Sequence, residues 1–195
     1  MRYTIGIYAL CAAAACCGAW AQGANPAFAN PATPAIETGK PARDMVNASD
    51  QVFLRTAAVG NRAEVELGKL AADKASAASV KDFGRRMAAD HAMTLDALQE
   101  LARSSDTPLP RELDMDHVVV MQQLEEAQSQ STAFDIEYMR SQIADHQRTT
   151  QLLEYQIGAG QSDRVRDFAK VTLVAVLDHL ETAKAIHAEL TGAAP

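Results

Sequence analysis

Residues 80–101 read VKDFGRRMAADHAMTLDALQEL, and the spacing of apolar side chains in this stretch decides the fold class. Small and apolar residues recur every three or four positions, the period that returns side chains to one face of an α-helix. The stretch therefore predicts a long helix with one face packed against partner helices, and a histidine lies in the middle of that face. The face consists of Val80, Gly84, Met87, His91, Thr94, Leu98 and Leu101.

Three further stretches have the same period. The face of the first predicted helix consists of Phe53, Ala57, Gly60, Glu64, Leu67 and Ala71. The face of the third long helix consists of Ile136, Met139, Ile143, His146, Thr150, Leu153 and Ile157. The face of the last consists of Val165, Phe168, Thr172, Ala175, His179, Thr182 and Ile186. Four amphipathic helices of similar length are typical of a bundle around one core.

Capping residues, glycines and prolines set the predicted ends of these helices. The long helices are predicted over about residues 49–75, 79–103, 133–157 and 162–190, with a shorter helical stretch over 112–128. Ser49 and Ser162 are predicted caps, and Ser79 with Asp82 resembles a capping box. The predicted class is all-α: a four-helix bundle over residues 49–191, with a short extra helix in the crossover between two hairpins.

The composition limits the choice of partners. The chain has 195 residues, with 18 lysines and arginines against 25 aspartates and glutamates, which gives a formal net charge of −7. A chain of this charge is a poor match for nucleic acid or for an anionic membrane surface. We therefore predict no nucleic-acid partner, and the sequence leaves any protein partner open.

The first 21 residues have the pattern of a signal peptide. Arg2 supplies the basic start, an uncharged alanine-rich stretch follows, and Ala19-Trp20-Ala21 matches a small-x-small cleavage site. The prediction is an exported protein, periplasmic or associated with the outer membrane, without a transmembrane helix in its mature chain. Residues 22–48, which contain Pro26, Pro31, Pro34 and Pro41, are predicted to form a disordered tether.

All three cysteines, Cys11, Cys16 and Cys17, lie within the predicted signal peptide. A chain cleaved after Ala21 has no thiol, which excludes disulfides and sulfur ligands for a metal. The alternative is cleavage before Cys16 or Cys17, which would leave a lipid-modified N-terminus. The residues before these cysteines lack the large apolar residue usual at such a site, so we favour the soluble mature form.

Each of the four predicted faces carries one strong metal-ligand type near its middle: Glu64, His91, His146 and His179. At a rise of about 1.5 Å per residue, the first pair lies at nearly the same height in its hairpin and the second pair within ~7 Å. Burying such side chains without partners is costly. We therefore predict that these four residues bind a metal ion. A buried polar network that only sets the helix register is the alternative.

An aspartate precedes each predicted histidine ligand: Asp90, Asp145 and Asp178. On a helix, this aspartate stands about 100° round from its histidine and faces the neighbouring helix. There it can accept the free N–H of a ligating imidazole, or it can complete the metal shell itself. The two other histidines, His117 and His187, are predicted to be surface or secondary residues.

An ordered set of motifs resembles one family of exported bacterial proteins. The motifs are Glu64-Val-Glu-Leu-Gly-Lys-Leu-Ala-Ala, Val80-Lys-Asp-Phe-Gly-Arg-Arg-Met-Ala-Ala-Asp-His91, Phe134-Asp135 with Tyr138, Ala144-Asp-His146 and Asp178-His179-Leu. Over about residues 48–190 the chain resembles the family called domain of unknown function 4142. The resemblance implies an exported ferritin-like bundle, some relatives being labelled outer-membrane proteins, and it implies no settled activity.

The chain departs from the usual ferritin-like di-iron pattern. Such sites use Glu-x-x-His on two helices, whereas the residues three positions before His91, His146 and His179 are Ala88, Ile143 and Val176. A carboxylate-rich di-iron centre is therefore not predicted. One glutamate with three histidines suits a single Zn, Cu(II), Ni or Fe(II) ion.

Three hypotheses of function follow from these patterns. The first is a metal-binding envelope bundle that serves storage, buffering or redox protection. The second is an interaction or structural bundle whose polar core binds no metal. The third is an oxidase or peroxidase that uses the same ion, which would need an open coordination position. The sequence shows no nucleophile–base pair and no glycine-rich phosphate loop.

Overall fold

The computed structural model describes residues 45–192 and contains, within that range, five α-helices and no β-strand. They are α1 (Ala48–Lys74), α2 (Ala78–Ser104), α3 (Met115–Glu126), α4 (Thr132–Ala159) and α5 (Asp163–Thr191). The predicted all-α class and the short helix between the two pairs are thereby confirmed. The predicted signal peptide, residues 1–21, and residues 22–44 of the predicted tether lie outside the described residues.

The four long helices pack as two hairpins. Residues 75–77 join α1 to α2, and residues 160–162 join α4 to α5. The hairpins meet through α1 against α4 and through α2 against α5, while α3 lies against both α1 and α4. The result is a helical bundle. Among the described helices, none combines the length and the apolar character that crossing a membrane requires.

The interior of the bundle contains two apolar clusters separated by a polar layer. The first cluster includes Leu67, Phe83, Met87, Phe134, Tyr138 and Ile186. The second includes Phe53, Leu54, Leu98, Leu153, Val165 and Val176. Between these positions on the long helices lie the buried polar residues Asn61, Glu64, His91, Gln142, Asp145, His146 and His179. Every predicted ligand is therefore held at mid-height between two packed apolar layers.

Two glycines allow α1 and α2 to pack closely. A Cβ atom on Gly68 would lie 2.6 Å from the carbonyl oxygen of Gly84 and 2.7 Å from the backbone nitrogen of Ala88. A Cβ atom on Gly84 would lie 2.7 Å from the carbonyl oxygen of Gly68. Favourable contacts of carbon atoms lie at about 3.5–4.0 Å. Both positions therefore require glycine, because the neighbouring atoms belong to the backbone of the facing helix.

The start of α1 differs from the predicted cap. Asn47, rather than Ser49, caps this helix, and its side chain accepts the N–H of Asp50 at 2.8 Å. The Asp50 carboxylate in turn accepts the N–H of Asn47 at 3.1 Å, which completes a capping box. Asp50 is fully buried and also accepts the N–H of Ser162 at 3.0 Å. The same carboxylate therefore stabilises both the start of α1 and the turn before α5.

The predicted capping box of Ser79 and Asp82 is wrong. The helix α2 begins at Ala78, and the residue before it makes no side-chain capping bond. Instead, the buried carboxylate of Asp135 on α4 accepts the N–H groups of Ser76 and Ala77, both at 2.8 Å. A side chain distant in sequence thus binds the two N–H groups that immediately precede α2.

The buried face of α4 is rotated from the predicted face. Ile136, Ile143 and Ile157 are only half-buried, whereas Tyr138 and Gln142 are completely buried. The cause is the crossover helix α3, which packs against α4 as well as α1. This contact covers a side of α4 that would face solvent in a bundle of four helices alone. The buried surface of α4 is therefore wider than the single face that residues spaced three or four positions apart would form.

Candidate metal centre

Three of the four predicted ligands come together in the polar layer. His91 on α2, His146 on α4 and His179 on α5 are 6 %, 1 % and 2 % exposed. Their ring centroids are 5.5 Å (His91–His146), 5.4 Å (His91–His179) and 5.5 Å (His146–His179) apart. The three imidazoles therefore form a nearly equilateral triangle to which both hairpins contribute.

One nitrogen of each ring is occupied by a hydrogen-bond acceptor. His91 Nδ1 donates to Asn61 Oδ1, His146 Nδ1 donates to the carbonyl oxygen of Gln142, and His179 Nε2 donates to Asp90 Oδ2, each at 2.9 Å. The amide of Asn61 is itself fixed, because its Nδ2 donates to the carbonyl oxygen of Ala57 at 2.7 Å. Since all three partners accept, the hydrogen of each neutral ring lies on the bonded nitrogen.

The other nitrogen of each ring is left with a lone pair. His91 Nε2, His146 Nε2 and His179 Nδ1 are buried and have no hydrogen-bond partner among the described residues. The ligand atoms of the three histidines lie within 4.8 Å of one another. Three uncharged nitrogen donors thus share one small volume.

The spacing of the rings matches that expected around one ion. A metal–nitrogen bond of about 2.0–2.1 Å puts each ring centroid ~3.2 Å from the metal, and tetrahedral angles then separate the centroids by ~5.2 Å. The observed separations of 5.4–5.5 Å exceed this value by only a few tenths of an ångström. The triangle therefore has nearly the size that three imidazoles around one ion would have.

Burial keeps these imidazoles uncharged. Desolvation, together with the charges of the other two histidines, lowers the pKa of His91 to about 3. Desolvation likewise lowers the pKa of His146 to about 4 and brings the pKa of His179 below its ordinary value. At neutral pH all three rings are therefore in the form that binds a metal.

We expect these depressed pKa values to appear in the metal-free protein. An unfolded histidine titrates near pH 6.5. Below that pH the unfolded chain therefore binds protons that His91 and His146 do not bind in the folded protein. Their contribution to stability is fully present above pH 6.5 and falls by up to about 1.4 kcal/mol per pH unit for each ring as the pH approaches the folded pKa. Histidine proton NMR of the apo protein should show two rings that remain neutral at pH 5. If His91 and His146 titrate between pH 6 and 7, the buried environment described for them is wrong.

Glu64, the fourth predicted ligand, belongs to a second group that overlaps the first. The ligand atoms of Glu64, Asp145 and His146 lie within 4.8 Å of one another, so His146 belongs to both groups. Glu64 is 1 % exposed, and neither carboxyl oxygen has a hydrogen-bond partner among the described residues. Desolvation and the adjacent charge of Asp145 raise the pKa of Glu64 well above its ordinary value.

The three predicted partner aspartates have three different environments. Asp90 accepts from His179 across the α2–α5 interface, as the position before His91 predicts. Asp145 instead lies beside Glu64 and accepts from Arg148 at 3.0 Å. Asp178 is exposed and accepts from Arg86 at 2.6 Å, and Arg86 also donates to Asp90 at 3.3 Å. Asp178 therefore approaches the histidines only through Arg86.

His117 lies closer to the site than predicted. From α3 its Nε2 donates to Asp145 Oδ1 at 3.3 Å, and its Nδ1 donates to Asp114 Oδ1 at 2.6 Å. The hydrogen bond to Asp145, followed by the charges of both carboxylates, raises the pKa of His117 despite its partial burial. Burial of Asp145 would by itself raise the pKa of that carboxyl, but His117, His146 and Arg148 hold it well below its usual range.

Two hydrogen-bond partners of the histidines were not predicted: Asn61 and Gln142. Each lies one helical turn from a predicted ligand, since Asn61 precedes Glu64 by three residues and Gln142 precedes His146 by four. Asn61 contacts His91 through its side-chain amide, whereas Gln142 contacts His146 through its backbone carbonyl, a contact that does not depend on the side chain at position 142. The side chain of Gln142 is completely buried, and its amide has no hydrogen-bond partner among residues 45–192.

A cavity reaches this layer from the side of α3. It has a volume of about 250 Å³, and its walls include His91, His146, Glu64, Asp145 and His117. Threonines and apolar residues also line the cavity, among them Thr56, Thr149, Thr172, Leu152 and Phe168. The cavity therefore places open space beside the polar layer, while the unpartnered ring nitrogens themselves are buried.

Fold and site together define a class of protein: an all-α helical bundle with a buried layer of histidine and carboxylate side chains. Residues 35–186 match the model of the family described as Domain of unknown function (DUF4142). The chain belongs to this family. No curated protein matches the chain, and no solved structure matches it either.

Proposed function

We propose that this protein is an exported, ferritin-like metal-binding bundle that holds one transition-metal ion through His91, His146 and His179. The observation that carries the proposal is the set of three converging, unpartnered ring nitrogens. A buried polar atom without a partner costs about 1–3 kcal/mol. An ion that binds all three lone pairs removes that cost at every ring, which a polar network without metal does not do.

The donors favour particular ions. Imidazole nitrogen suits Zn, Cu(II), Ni and Fe(II), and the cysteines of the sequence all lie at or before residue 17. Three protein ligands leave a fourth position, as in open rather than purely structural zinc sites. The cavity beside His91 and His146 supplies room for water or a small ligand at that position.

One ion on each chain suits metal buffering or delivery better than bulk storage. The predicted export would place this activity in the cell envelope, which a metal ion reaches before it enters the cell. A redox role would use the same open position, with the small reactant entering through the cavity. In either role, the outer hydrogen bonds fix the ring orientations before the ion arrives.

Metal titration of protein purified without an affinity tag tests the proposal. We expect calorimetry to show a high-affinity event with at least one of Zn, Cu(II), Ni and Fe(II). A hundredfold excess over the dissociation constant should stabilise the fold by about 2.7 kcal/mol in thermal unfolding. A polar network that binds no metal predicts no such stabilisation. If none of the four ions raises the unfolding temperature, the proposal is rejected.

The two aspartates next to the α2–α5 histidines provide a matched pair of variants. Asp90→Ala should weaken metal affinity by about 10–100-fold, because His179 loses the acceptor that orients its ring. Asp178→Ala should change affinity much less, since Asp178 is exposed and contacts Arg86 rather than a histidine. Calorimetric titration of both variants checks this order. Equal losses in the two variants would contradict the proposed role of Asp90.

A further inference from the structure

Three exposed large apolar side chains lie close together on α5. Val171, Val174 and Leu177 are 75 %, 71 % and 42 % exposed, and all lie within two turns of this helix. Elsewhere in the described part of the chain, such residues occur singly or in pairs on an element. Single exposed apolar residues are normal, whereas a contiguous exposed group is typical of a contact surface. This side of α5 is therefore a candidate surface for contact with another protein.

Four exposed residues form a narrow stripe along this side of α5. Lys170, Val174, Leu177 and Glu181 follow one another at intervals of four, three and four positions, and each is exposed. At about 100° per residue, these side chains leave the helix within a sector of ~60°. Alternating steps of three and four positions are the spacing by which two helices pack along a common seam. We call these four residues the α5 face.

The α5 face is complementary to itself when a second copy runs antiparallel. A two-fold axis that crosses the helix between residues 175 and 176 places Val174 opposite Leu177 of the second copy, and Lys170 opposite its Glu181. An apolar centre then has a pair of opposite charges at each end. A parallel arrangement in register would place lysine opposite lysine and glutamate opposite glutamate, which repel each other. The order of charges therefore favours the antiparallel pair.

Ion pairs within α5 extend this complementarity. Lys170 Nζ lies 2.8 Å from Asp167 Oδ1, and Lys184 Nζ lies 2.8 Å from Glu181 Oε1. Once Lys170 lies beside Glu181 of the second copy, charges of alternating sign run across the contact from Asp167 to Lys184. Isolated surface ion pairs contribute little, whereas a network of several charges contributes more. Each end of the antiparallel contact would have such a network.

We propose that this protein associates with a second copy of itself through the α5 face, as an antiparallel two-fold dimer. The dimer goes beyond the proposed function and does not depend on it, because His179 is buried on the opposite side of α5. A contact limited to one helix of each copy buries less than the ~800 Å² per partner that is typical of stable complexes. We therefore expect a dimer that dissociates on dilution.

Sedimentation velocity over a series of protein concentrations, up to the millimolar range, tests the proposal. The untagged protein is kept metal-free with a chelator, so that an ion cannot link two copies. The wild type should change from monomer to dimer as its concentration rises. Val174→Glu should weaken the dimer at least about tenfold, because it buries a charge at the apolar centre of the contact. Met93→Glu, at an exposed position on α2, is the matched control and should associate as the wild type does.

Two charge reversals test the antiparallel order. Lys170→Glu places glutamates opposite each other, and Glu181→Lys places lysines opposite each other. Each variant alone should therefore associate at least about tenfold more weakly than the wild type. An equimolar mixture of the two variants restores opposite charges at both ends of the contact and should form a heterodimer of nearly wild-type strength. Circular dichroism of each variant establishes that it is folded.

Three results would overturn the proposal. A wild type that stays monomeric at every concentration leaves the α5 face to another protein or to the segment before residue 45. A dimer that Val174→Glu retains forms through a different surface. A dimer that both charge reversals weaken, but that their mixture does not restore, is not the antiparallel pair.

Discussion

Replacing His91 by alanine is expected to weaken metal binding at the three-histidine site more than a hundredfold. His91 supplies one of only three nitrogen donors, so its loss should exceed the roughly 10–100-fold effect typical of losing an outer partner. The metal-dependent rise in unfolding temperature that this site provides should disappear with it. Thermal unfolding and calorimetry, with and without the ion, measure both effects.

His187→Ala is the appropriate control for that variant. His187 is a half-buried histidine on α5, two turns beyond His179, and lies outside both groups of ligand atoms. It should bind metal as the wild type does. A wild-type response in His91→Ala, or an equal loss in both variants, would show that the triangle of imidazoles is not the metal site. A polar network without metal instead predicts that His91→Ala lowers the stability of the apo protein and leaves the response to metal unchanged.

Gly68→Ala is expected to lower the free energy of unfolding by about 2–3 kcal/mol, the upper part of the range for overpacking. The added methyl group would meet the backbone of Gly84 and Ala88 at 2.6–2.7 Å, and no side-chain rotation can relieve that contact. The two helices must separate instead, which disturbs the packing next to Glu64 and His91. Denaturant unfolding of the metal-free protein measures the loss.

Gly60→Ala, in the same helix, provides the opposite outcome. A Cβ atom on Gly60 would meet nothing within 4 Å. Alanine at a helical position is worth about 0.5–1 kcal/mol relative to glycine, so this variant should be unchanged or slightly more stable. Similar losses at Gly60 and Gly68 would indicate that helix propensity, rather than the close approach of α1 and α2, governs both positions.

Much of the fold could be predicted because helix periodicity is local. The caps at Ser162 and the left-handed Gly192 after α5 follow the predicted pattern. The errors lie at positions whose burial or hydrogen bonding depends on an element distant in the sequence. Asp135 on α4 binds the N–H groups just before α2, where a local capping box was predicted, and on α5 the predicted core residue Ala175 is exposed while Val176 is buried. No short-range pattern encodes which of two adjacent apolar positions a neighbouring helix will cover.

The candidate site could likewise be predicted only in part. One histidine on each of three amphipathic faces was enough to predict that these rings meet, and the position of Asp90 predicted a contact across the helix interface. His117 was missed because α3 is short and its placement depends on how the crossover folds back over α1 and α4. The overlap of two ligand groups at His146 likewise depends on side-chain positions that periodicity does not fix.

The polar layer also has a mechanical consequence for the two hairpins. His91 belongs to the α1–α2 hairpin, whereas His146 and His179 belong to the α4–α5 hairpin, and the chain between His91 and His146 includes the whole crossover. An ion shared by these rings is a reversible cross-link that closes this segment into a loop. Metal loading would then determine how firmly the hairpins are clamped together, and hydrogen exchange in α3 would report the state of the clamp.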